Sequence, residues 1–201
     1  MESYNRDMNR ILKDLHPELG ITLEAKNNLS IVLNLLLEKL VKQSISLLHP
    51  KNFKNPGPEG NKKTLTVKEI TTSVSLLFTS VLRKFAISEG NKAVKKFETS
   101  DTIRNHTLRA NLRLSVPKTR NIMDQYLPKG YHMDLLASVF ATAVLEYILN
   151  ELLELSGNNC QEDNKLRIKT EHIKEAVIND EELHSLLYGS LGISLPGEKK
   201  G

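Results

Sequence analysis

An apolar, helix-forming stretch carries acidic side chains at helical spacing. The segment VLEYILNELLEL (144–155) contains Glu146, Asn150, Glu151 and Glu154 among leucines and isoleucine. Residues three or four apart lie on one side of a helix, so burial of Leu145, Ile148, Leu149 and Leu152 would leave Glu146, Asn150 and Glu154 facing outward. The pattern therefore predicts either a surface that binds cations or an ordinary solvated helix face.

Basic side chains collect in three loops between helix-forming stretches. The basic residues are Lys62, Lys63, Lys129, His132, Lys165 and Arg167, and Thr64 follows the two lysines of the first loop. Lysine, arginine and backbone amides at helix N-termini are the groups that bind phosphate oxygens. Taken singly, such charges are more typical of solvated loops than of ligands for DNA. They predict a phosphate-binding surface only if the fold brings the loops together.

Residues that could perform catalysis or bind a metal do not form a recognisable pattern in the sequence. We find no phosphate-cradling glycine loop, no nucleophile paired with a base, and no metal-ligand cluster. The single Cys160 excludes an internal disulfide and a zinc site built from cysteines. His172 and His184 lack the spacing of metal ligands. We therefore predict a protein that is not an enzyme and needs no cofactor or metal.

Charge is distributed unevenly along the 201 residues, which carry a formal net charge of +4. Residues 1–100 hold 16 Lys/Arg against 10 Asp/Glu, whereas residues 101–201 hold 12 against 14. A mildly basic total permits a nucleic-acid partner without requiring one. The apolar run near 135–155 contains three glutamates, which are costly in lipid, so we predict a core helix rather than a membrane span.

Helical periodicity dominates both halves of the chain, and we predict an all-α fold. In the first half, helices are expected at about 4–15, from Thr22 to about 48, from the capping-box pair Thr66 and Glu69, and at about 80–97. In the second half, Pro117 opens a short helix, a long helix covers about 135–161, and Thr170 opens another short one. The stretch ETSDTIRNHTLR between the halves has little apolar periodicity and is predicted to be a connector.

The chain therefore contains two copies of one short–long–short helical unit. Each long helix is apolar over too wide an arc for two short helices to cover. Two units that pack head to tail would bury both long helices, and the connector makes their pairing intramolecular.

Long ordered strings in the sequence resemble two core histone types. SYNRDMNRILKDLHPELGIT, TLTVKEITTSVSLLF and AISEGNKAVKKF resemble the 2B type, whereas RANLRLSVPKTR, AVLEYILNELLELSGN, EDNKLRI and INDEELHSLL resemble the 2A type. The order is similar to that of the fused histone doublets of giant DNA viruses of the marseillevirus kind. The resemblance implies two histone-fold units in a handshake: a 2B-like unit (1–98), a connector (99–108), a 2A-like unit (109–188) and a short tail (189–201).

The resemblance also implies where DNA would bind. A handshake places the first loop of each unit beside the second loop of the other. One site would combine Ile21 and Thr22 with Lys165 and Arg167, and Arg167 corresponds to a minor-groove arginine. The other site would combine Lys62, Lys63 and Thr64 with Lys129 and His132. His132 stands where the family has another minor-groove arginine, so that contact is expected to be weaker. Lys118 matches a DNA-contacting arginine, and Arg109 aligns with a basic arm.

In the histone family the acidic residues converge into a patch that recognises arginine-bearing peptides of chromatin proteins. The corresponding residues here are Glu89, Glu146, Asn150, Glu151, Glu154, Asp180, Glu181 and Glu182. One further glutamate of the family is Val81 in this chain, so the implied patch is slightly reduced.

The resemblance implies a structural protein that packages double-stranded DNA, largely without sequence preference, in nucleosome-like particles. Its partner would carry the other two core histone types, itself as a doublet. The expected location is the virion and the host nucleus or viral factory, or nuclear chromatin if the protein is cellular. The alternative is a regulatory histone-fold pair that binds DNA without forming nucleosomes. Three departures from the family are a missing basic N-terminal tail, a longer loop at 50–63 and a shorter C-terminal docking segment, which predict weaker or different docking.

Overall fold

The first half of the chain folds into a short–long–short helical unit followed by a fourth helix. The computed structural model describes residues 4–48 and 63–192. The elements of the first half are α1 (Asn5–Leu15), β1 (Gly20–Ile21), α2 (Leu23–Leu48), β2 (Thr64–Leu65), α3 (Val67–Leu77) and α4 (Ser80–Thr99). Most of the predicted loop 50–63 and most of the predicted tail 189–201 lie outside the described residues.

The second half repeats the short–long–short plan. Its elements are α5 (His106–Arg109), α6 (Val116–Asp124), β3 (His132–Met133), α7 (Leu135–Glu162), β4 (Arg167–Ile168), α8 (Thr170–Asn179), α9 (Glu181–His184) and a π-helical segment (Ser185–Ser190). The all-α fold class is confirmed. Two details differ from the sequence-based expectation. Helix α4 ends at residue 99 rather than at about 97. Helix α5, which Asn105 caps, forms within the predicted connector and extends one residue past its predicted end at residue 108.

Side-chain caps start the helices where the sequence indicates. The Thr22 hydroxyl accepts a hydrogen bond from the Ala25 amide at 3.2 Å at the start of α2. At α3, the Glu69 carboxylate accepts a hydrogen bond from the Thr66 amide at 2.8 Å. These contacts satisfy donors that have no partner within the first helical turn, and they set where each element leaves its loop.

The two units pair through two small parallel ladders, one at each end of the molecule. Strand β1 pairs with β4, with Gly20 opposite Arg167, and β2 pairs with β3, with Thr64 opposite His132. Strand β1 precedes α2 while β4 follows α7, so the start of α2 lies beside the end of α7. The second ladder reverses this relation, and the two long helices therefore run in opposite directions. This is the handshake of two histone-fold units.

One continuous hydrophobic core joins the two halves. It includes Leu29, Leu33 and Leu40 of α2 together with Leu145 and Leu149 of α7, all fully buried. Helix α7 is long and apolar enough to cross a membrane, but 67% of its most apolar 18-residue window is buried inside the protein. The burial identifies α7 as the central helix of a shared core.

Polar contacts between the units fix their relative position. The Tyr4 and Thr119 hydroxyls lie 3.0 Å apart, and Asn28 donates a hydrogen bond to the Thr170 hydroxyl at 2.9 Å. His16, just after α1, packs directly on Gly157 of α7, where an added Cβ would lie 2.2 Å from the His16 Nε2 atom. A side chain at position 157 would therefore displace the His16 ring from this site.

Candidate nucleic-acid interface and acidic surface

The first loop pair consists of residues 20–22 and 165–168. The Gly20 amide donates to the Leu166 carbonyl at 2.8 Å, and the Thr22 amide donates to the Ile168 carbonyl at 3.0 Å. This ladder brings together the four residues predicted to share this site. Their side chains differ in exposure, since Lys165 and Arg167 are exposed while Ile21 and Thr22 are half-buried. The backbone is thus fixed while the two cations face solvent.

The second loop pair consists of residues 63–65 and 129–134. The His132 amide donates to the Lys63 carbonyl at 2.8 Å, and the Asp134 amide donates to the Leu65 carbonyl at 2.9 Å. Lys63, Lys129 and His132 are exposed, and Thr64 is half-buried. Lys62, the remaining predicted member of this site, lies outside the described residues.

The two loop pairs present cations at opposite ends of the antiparallel long helices. Helix α7 has 28 residues, so the two ends lie roughly 40 Å apart. Within the part of the chain that the structure describes, neither Lys165 nor Arg167 forms an ion pair. The Arg167 stem passes over Gly20, where an added Cβ would lie 3.4 Å from its Cγ atom. Arg167 is therefore a supported cation whose charge is not neutralised by a described carboxylate.

Two other cations assigned to DNA by the resemblance have protein partners. The Lys118 Nζ lies 3.7 Å from the Asp7 carboxylate and 5.3 Å from the centre of the Tyr4 ring. The Arg109 Nε donates to the Phe97 carbonyl at 2.6 Å, and its guanidinium lies 4.1 Å from the centre of the Phe97 ring. The structure thus holds Arg109 at the end of α4, where a cation satisfies terminal carbonyls, rather than on an extended arm.

A cationic groove beside Lys118 was not predicted from the sequence. It has a volume of about 660 Å³ and is lined by Arg6 and Arg10 of α1, by Arg113 and by Lys118. The Asp7 carboxylate also lines it, and the side chain of Asp7 is only 8% exposed. The i, i+4 spacing of Arg6 and Arg10 on α1 was a usable signal, but the groove exists only because α1 packs beside the segment before α6.

The acidic residues of α4 and α7 meet in a second groove, of about 390 Å³. Its lining includes Glu89 from α4 and Glu146, Tyr147, Asn150 and Glu151 from α7. The groove also contains Lys92, which pairs with Glu89 at 2.6 Å. Three of the carboxylates predicted to converge, those of Glu89, Glu146 and Glu151, therefore line one groove, and Lys92 partly neutralises Glu89.

The pKa shifts in this region show how closely the acids approach. Burial raises the pKa of Tyr147 to about 12, and the charges of Glu151, Asp180 and Glu182 add to that effect. The pKa of Glu151 is also raised, first by burial and then by the charges of Asp180 and Glu154. Residues from α7 and from the α8–α9 junction therefore share one negative surface. We call Glu89, Glu151, Glu154, Asp180 and Glu181 the acidic surface.

Glu146 and Glu182, also predicted to face a partner, instead satisfy backbone donors. The Glu146 carboxylate accepts hydrogen bonds from the amides of Arg113 and Leu114, both at 2.7 Å. Burial raises its pKa despite those bonds. The Glu182 carboxylate accepts hydrogen bonds from the Thr79 hydroxyl and from the Leu82 amide at the start of α4. The bond from Thr79 is the main reason why the pKa of Glu182 is lowered.

The remaining acids of the surface keep most of their carboxylate oxygens available. Glu154 is exposed, and one of its oxygens lies 3.6 Å from the His16 Nε2 atom. Asp180 accepts from the Leu183 amide at 2.7 Å, which caps α9. Glu181 is exposed. Asn150 lines both this groove and a neighbouring one shared with Asp14.

The surroundings of Cys160 and of the two histidines noted in the sequence include an acidic contact, between the His172 Nε2 atom and the Asp163 carboxylate at 3.3 Å. In the described ranges, 4–48 and 63–192, no group of three or more His, Cys, Asp or Glu side chains could hold a metal ion. Cys160 is buried, and burial raises the pKa of its thiol. His172 is buried and accepts a hydrogen bond from the Lys169 amide at 3.1 Å. The prediction of no metal and no catalysis remains a prediction.

Two histone-fold units on one chain, paired by a handshake, make this protein a histone-fold doublet in its architecture. No family model matches the chain. The chain is similar to a histone doublet of Melbournevirus, named for a 2B-type histone followed by a 2A-type histone, with 25% identity over 204 residues that cover 96% of this chain and 70% of the relative. The resemblance to these two histone types, in this order, is thereby confirmed over nearly the whole chain.

Proposed function

We propose that this protein packages double-stranded DNA, by wrapping it in nucleosome-like particles together with partner histones. The observation that carries the proposal is the pair of loop sites, each of which exposes cations at one end of the antiparallel long helices. Wrapping needs phosphate contacts repeated along a bent duplex, with little reading of bases. Two rigid cationic ends roughly 40 Å apart suit such repeated contacts.

The two loop pairs would contribute unequally. At the first, Arg167 enters the minor groove, with Lys165 and the backbone around Thr22 on the neighbouring phosphates. At the second, Lys63 and Lys129 bind phosphates, and His132 stands in place of the minor-groove arginine of the histone family. Arginine suits a narrow minor groove because that groove concentrates negative potential. The first end is therefore the stronger anchor.

Lys118 would extend the DNA contact between these ends. It lines the cationic groove with Arg6, Arg10 and Arg113, although Arg113 pairs with Asp14 at 2.9 Å and Arg10 lies 4.0 Å from Asp7. Phosphates that pass Lys118 would compete with these carboxylates for the arginines. The Asp7 carboxylate also competes for Lys118 itself, because it lies 3.7 Å from the Lys118 ammonium. Arg109 is left out of this contact, since Phe97 holds it.

Partner histones of the other two core types, carried by a second doublet, would complete the particle. The acidic surface would bind arginine-bearing peptides of chromatin proteins, because guanidinium groups pair well with carboxylates. In this role the protein acts in the virion and in the host nucleus or viral factory. It would act as a scaffold and not as an enzyme.

Reconstitution tests the packaging role directly. The chain, partner histones of the other two types and a defined DNA fragment are assembled by salt dialysis and digested with micrococcal nuclease. We expect a ladder of protected fragments. A double variant, Lys165→Ala with Arg167→Ala, should blur the ladder, whereas Lys39→Ala, which removes an exposed charge in the middle of α2, should preserve it.

Two outcomes would count against packaging. Uniform digestion of the DNA by nuclease in the presence of all components would contradict wrapping. Binding to one particular DNA sequence that survives high salt would instead favour a regulatory histone-fold pair, because binding through phosphates weakens steeply as salt rises.

A further inference from the structure

Helix α4 carries an exposed apolar stripe next to the acidic surface. Val81 is 49% exposed and Phe85 is 48% exposed, whereas Leu82 and Ala86 on the opposite face are buried. Residues four apart lie on one side of a helix, so Val81, Phe85 and Glu89 form a single line along α4. The line therefore leads from an apolar end to a carboxylate of the acidic surface.

Contacts with α7 and α9 make this stripe part of one surface. The Phe85 and Tyr147 rings lie 6.3 Å apart, centre to centre, at an angle of 36°. The charges of Glu151 and Asp180 also contribute to the raised pKa of Tyr147, after burial, so these acids lie near its hydroxyl. At the other end of the stripe, Glu182 holds the first turn of α4. We call Val81, Phe85 and the Tyr147 ring the apolar shelf.

We propose that the apolar shelf receives a large aliphatic side chain of the same peptide whose arginine binds the acidic surface. This inference rests on the proposed capture of arginine-bearing peptides and specifies its sequence preference. Charge complementarity selects the occupant, because carboxylates border the shelf along α7 and the α8–α9 junction and favour a basic peptide. A nearby cation, Lys84, lies 5.9 Å from the centre of the Phe85 ring and belongs to α4 itself.

The spacing along α4 sets the spacing in the peptide. Phe85 and Glu89 are four helical residues apart, which is roughly 6 Å along the helix axis. An extended peptide advances roughly 6.6 Å over two residues. The favoured segment therefore has an arginine and a leucine separated by one residue, with the leucine on Phe85 and the arginine toward Glu151 and Glu89. At Glu89 the arginine would compete with Lys92, which pairs with that carboxylate at 2.6 Å.

The test compares two fluorescein-labelled synthetic peptides on the intact chain. One contains Arg-Ser-Leu and the other Arg-Ser-Gly, within the same Gly-Ser flanks, and affinity is measured by fluorescence anisotropy at fixed low salt. We expect the leucine peptide to bind about tenfold more tightly, which corresponds to about 1.4 kcal/mol. Phe85→Ala should remove that difference and leave the affinity for the glycine peptide unchanged. Leu23→Ala, which truncates a leucine that is 63% exposed away from the shelf, should preserve the difference.

The outcomes separate this inference from the proposed function. Measurable but equal affinity of the two peptides for the unmodified chain overturns the shelf and leaves the acidic surface in place, and this comparison needs no variant to fold. Failure of both peptides to bind overturns the capture of arginine peptides, and the shelf with it. Concentration-dependent dimerisation that Phe85→Ala abolishes would assign the shelf to a second copy of the chain and overturn the peptide.

Discussion

The loop pairs and the acidic surface hold their charged groups in different ways. At the loop pairs, backbone ladders fix the chain, and the side chains of Lys165, Arg167 and Lys63 face solvent. Near the acidic surface, carboxylates themselves hold the backbone, as Glu146 does for residues 113–114. Removal of a charge should therefore leave the fold intact at the loop pairs, whereas removal of a carboxylate that holds the backbone near the acidic surface should destabilise it.

The largest expected effect comes from Glu146→Ala, which removes such a carboxylate. The substitution leaves the amides of Arg113 and Leu114 without their acceptor, and a hydrogen bond to a charged group contributes about 2 kcal/mol. We expect the free energy of unfolding to fall by about 2 kcal/mol, measured by urea denaturation, because water can replace the carboxylate at the exposed Arg113. Glu181→Ala, an exposed carboxylate of the same region, should change it by less than about 0.5 kcal/mol. Equal effects of the two substitutions would show that Glu146 does not stabilise the fold through these amides.

Arg167→Ala probes the opposite case, in which function changes without fold. Its guanidinium has no ion-pair partner among the described residues, so we expect the free energy of unfolding to stay within about 0.5 kcal/mol. The slope of log affinity for DNA against log salt should become shallower by about one, because one cation fewer displaces counterions. Filter binding across a salt series measures the slope. A matching loss of thermal stability would show that Arg167 supports the ladder and would remove it from the DNA contact.

Glu151→Gln tests whether burial of an acid makes stability depend on pH near the acidic surface. The folded-state pKa of Glu151 is raised by burial and by Asp180 and Glu154. A raised pKa means that its contribution to stability is fully present below the unfolded pKa and is lost as pH rises through the folded pKa. The glutamine variant should therefore be more stable than the unmodified chain near neutral pH, and about equal to it below the ordinary value of 4.5. Urea denaturation at both pH values tests this, with Glu175→Gln on the exposed side of α8 as control.

His132→Arg should have the smallest effect and tests the inequality of the two loop pairs. An arginine at this exposed position adds a permanent cation to the second pair, so the salt slope should steepen by about one or less. His184→Arg adds the same charge beside Tyr188, away from both pairs, and should change the slope less. If the two substitutions act alike, the position of the charge does not matter and the second loop pair is not a contact site.

Much of the fold could be predicted because it depends on local patterns. The caps at Thr22 and at Thr66 with Glu69 lie within three residues of the donors they satisfy, and the structure confirms the helix starts they indicate. The pairing of residues 20–22 with 165–168 was predicted through the resemblance, since no local signal connects positions so far apart. The end of α4 was predicted two residues short. The helix at His106–Arg109 was not predicted, because the connector has little apolar periodicity, although its cap at Asn105 is local.

The site was predicted less completely, since each side chain's role depends on what approaches it. Sequence spacing placed Glu146 and Glu154 on the same outward side of the helix, but it is Glu146 that accepts hydrogen bonds from the amides of residues 113 and 114. Nor did the sequence indicate that Arg109 would contact Phe97, because that contact joins α5 to the end of α4. The cationic groove required the packing of α1 against a segment about one hundred residues later.

Two amphipathic helical units, their caps, and the residue types in the loops and on the acidic helix face follow from the amino-acid sequence. These properties depend on periodicity and on contacts within a few residues. Which charges remain available to a partner follows from the packing of distant segments. Their availability depends on hydrogen-bond donors and rings brought from distant parts of the chain, and a carboxylate or guanidinium binds whichever group lies within about 3 Å.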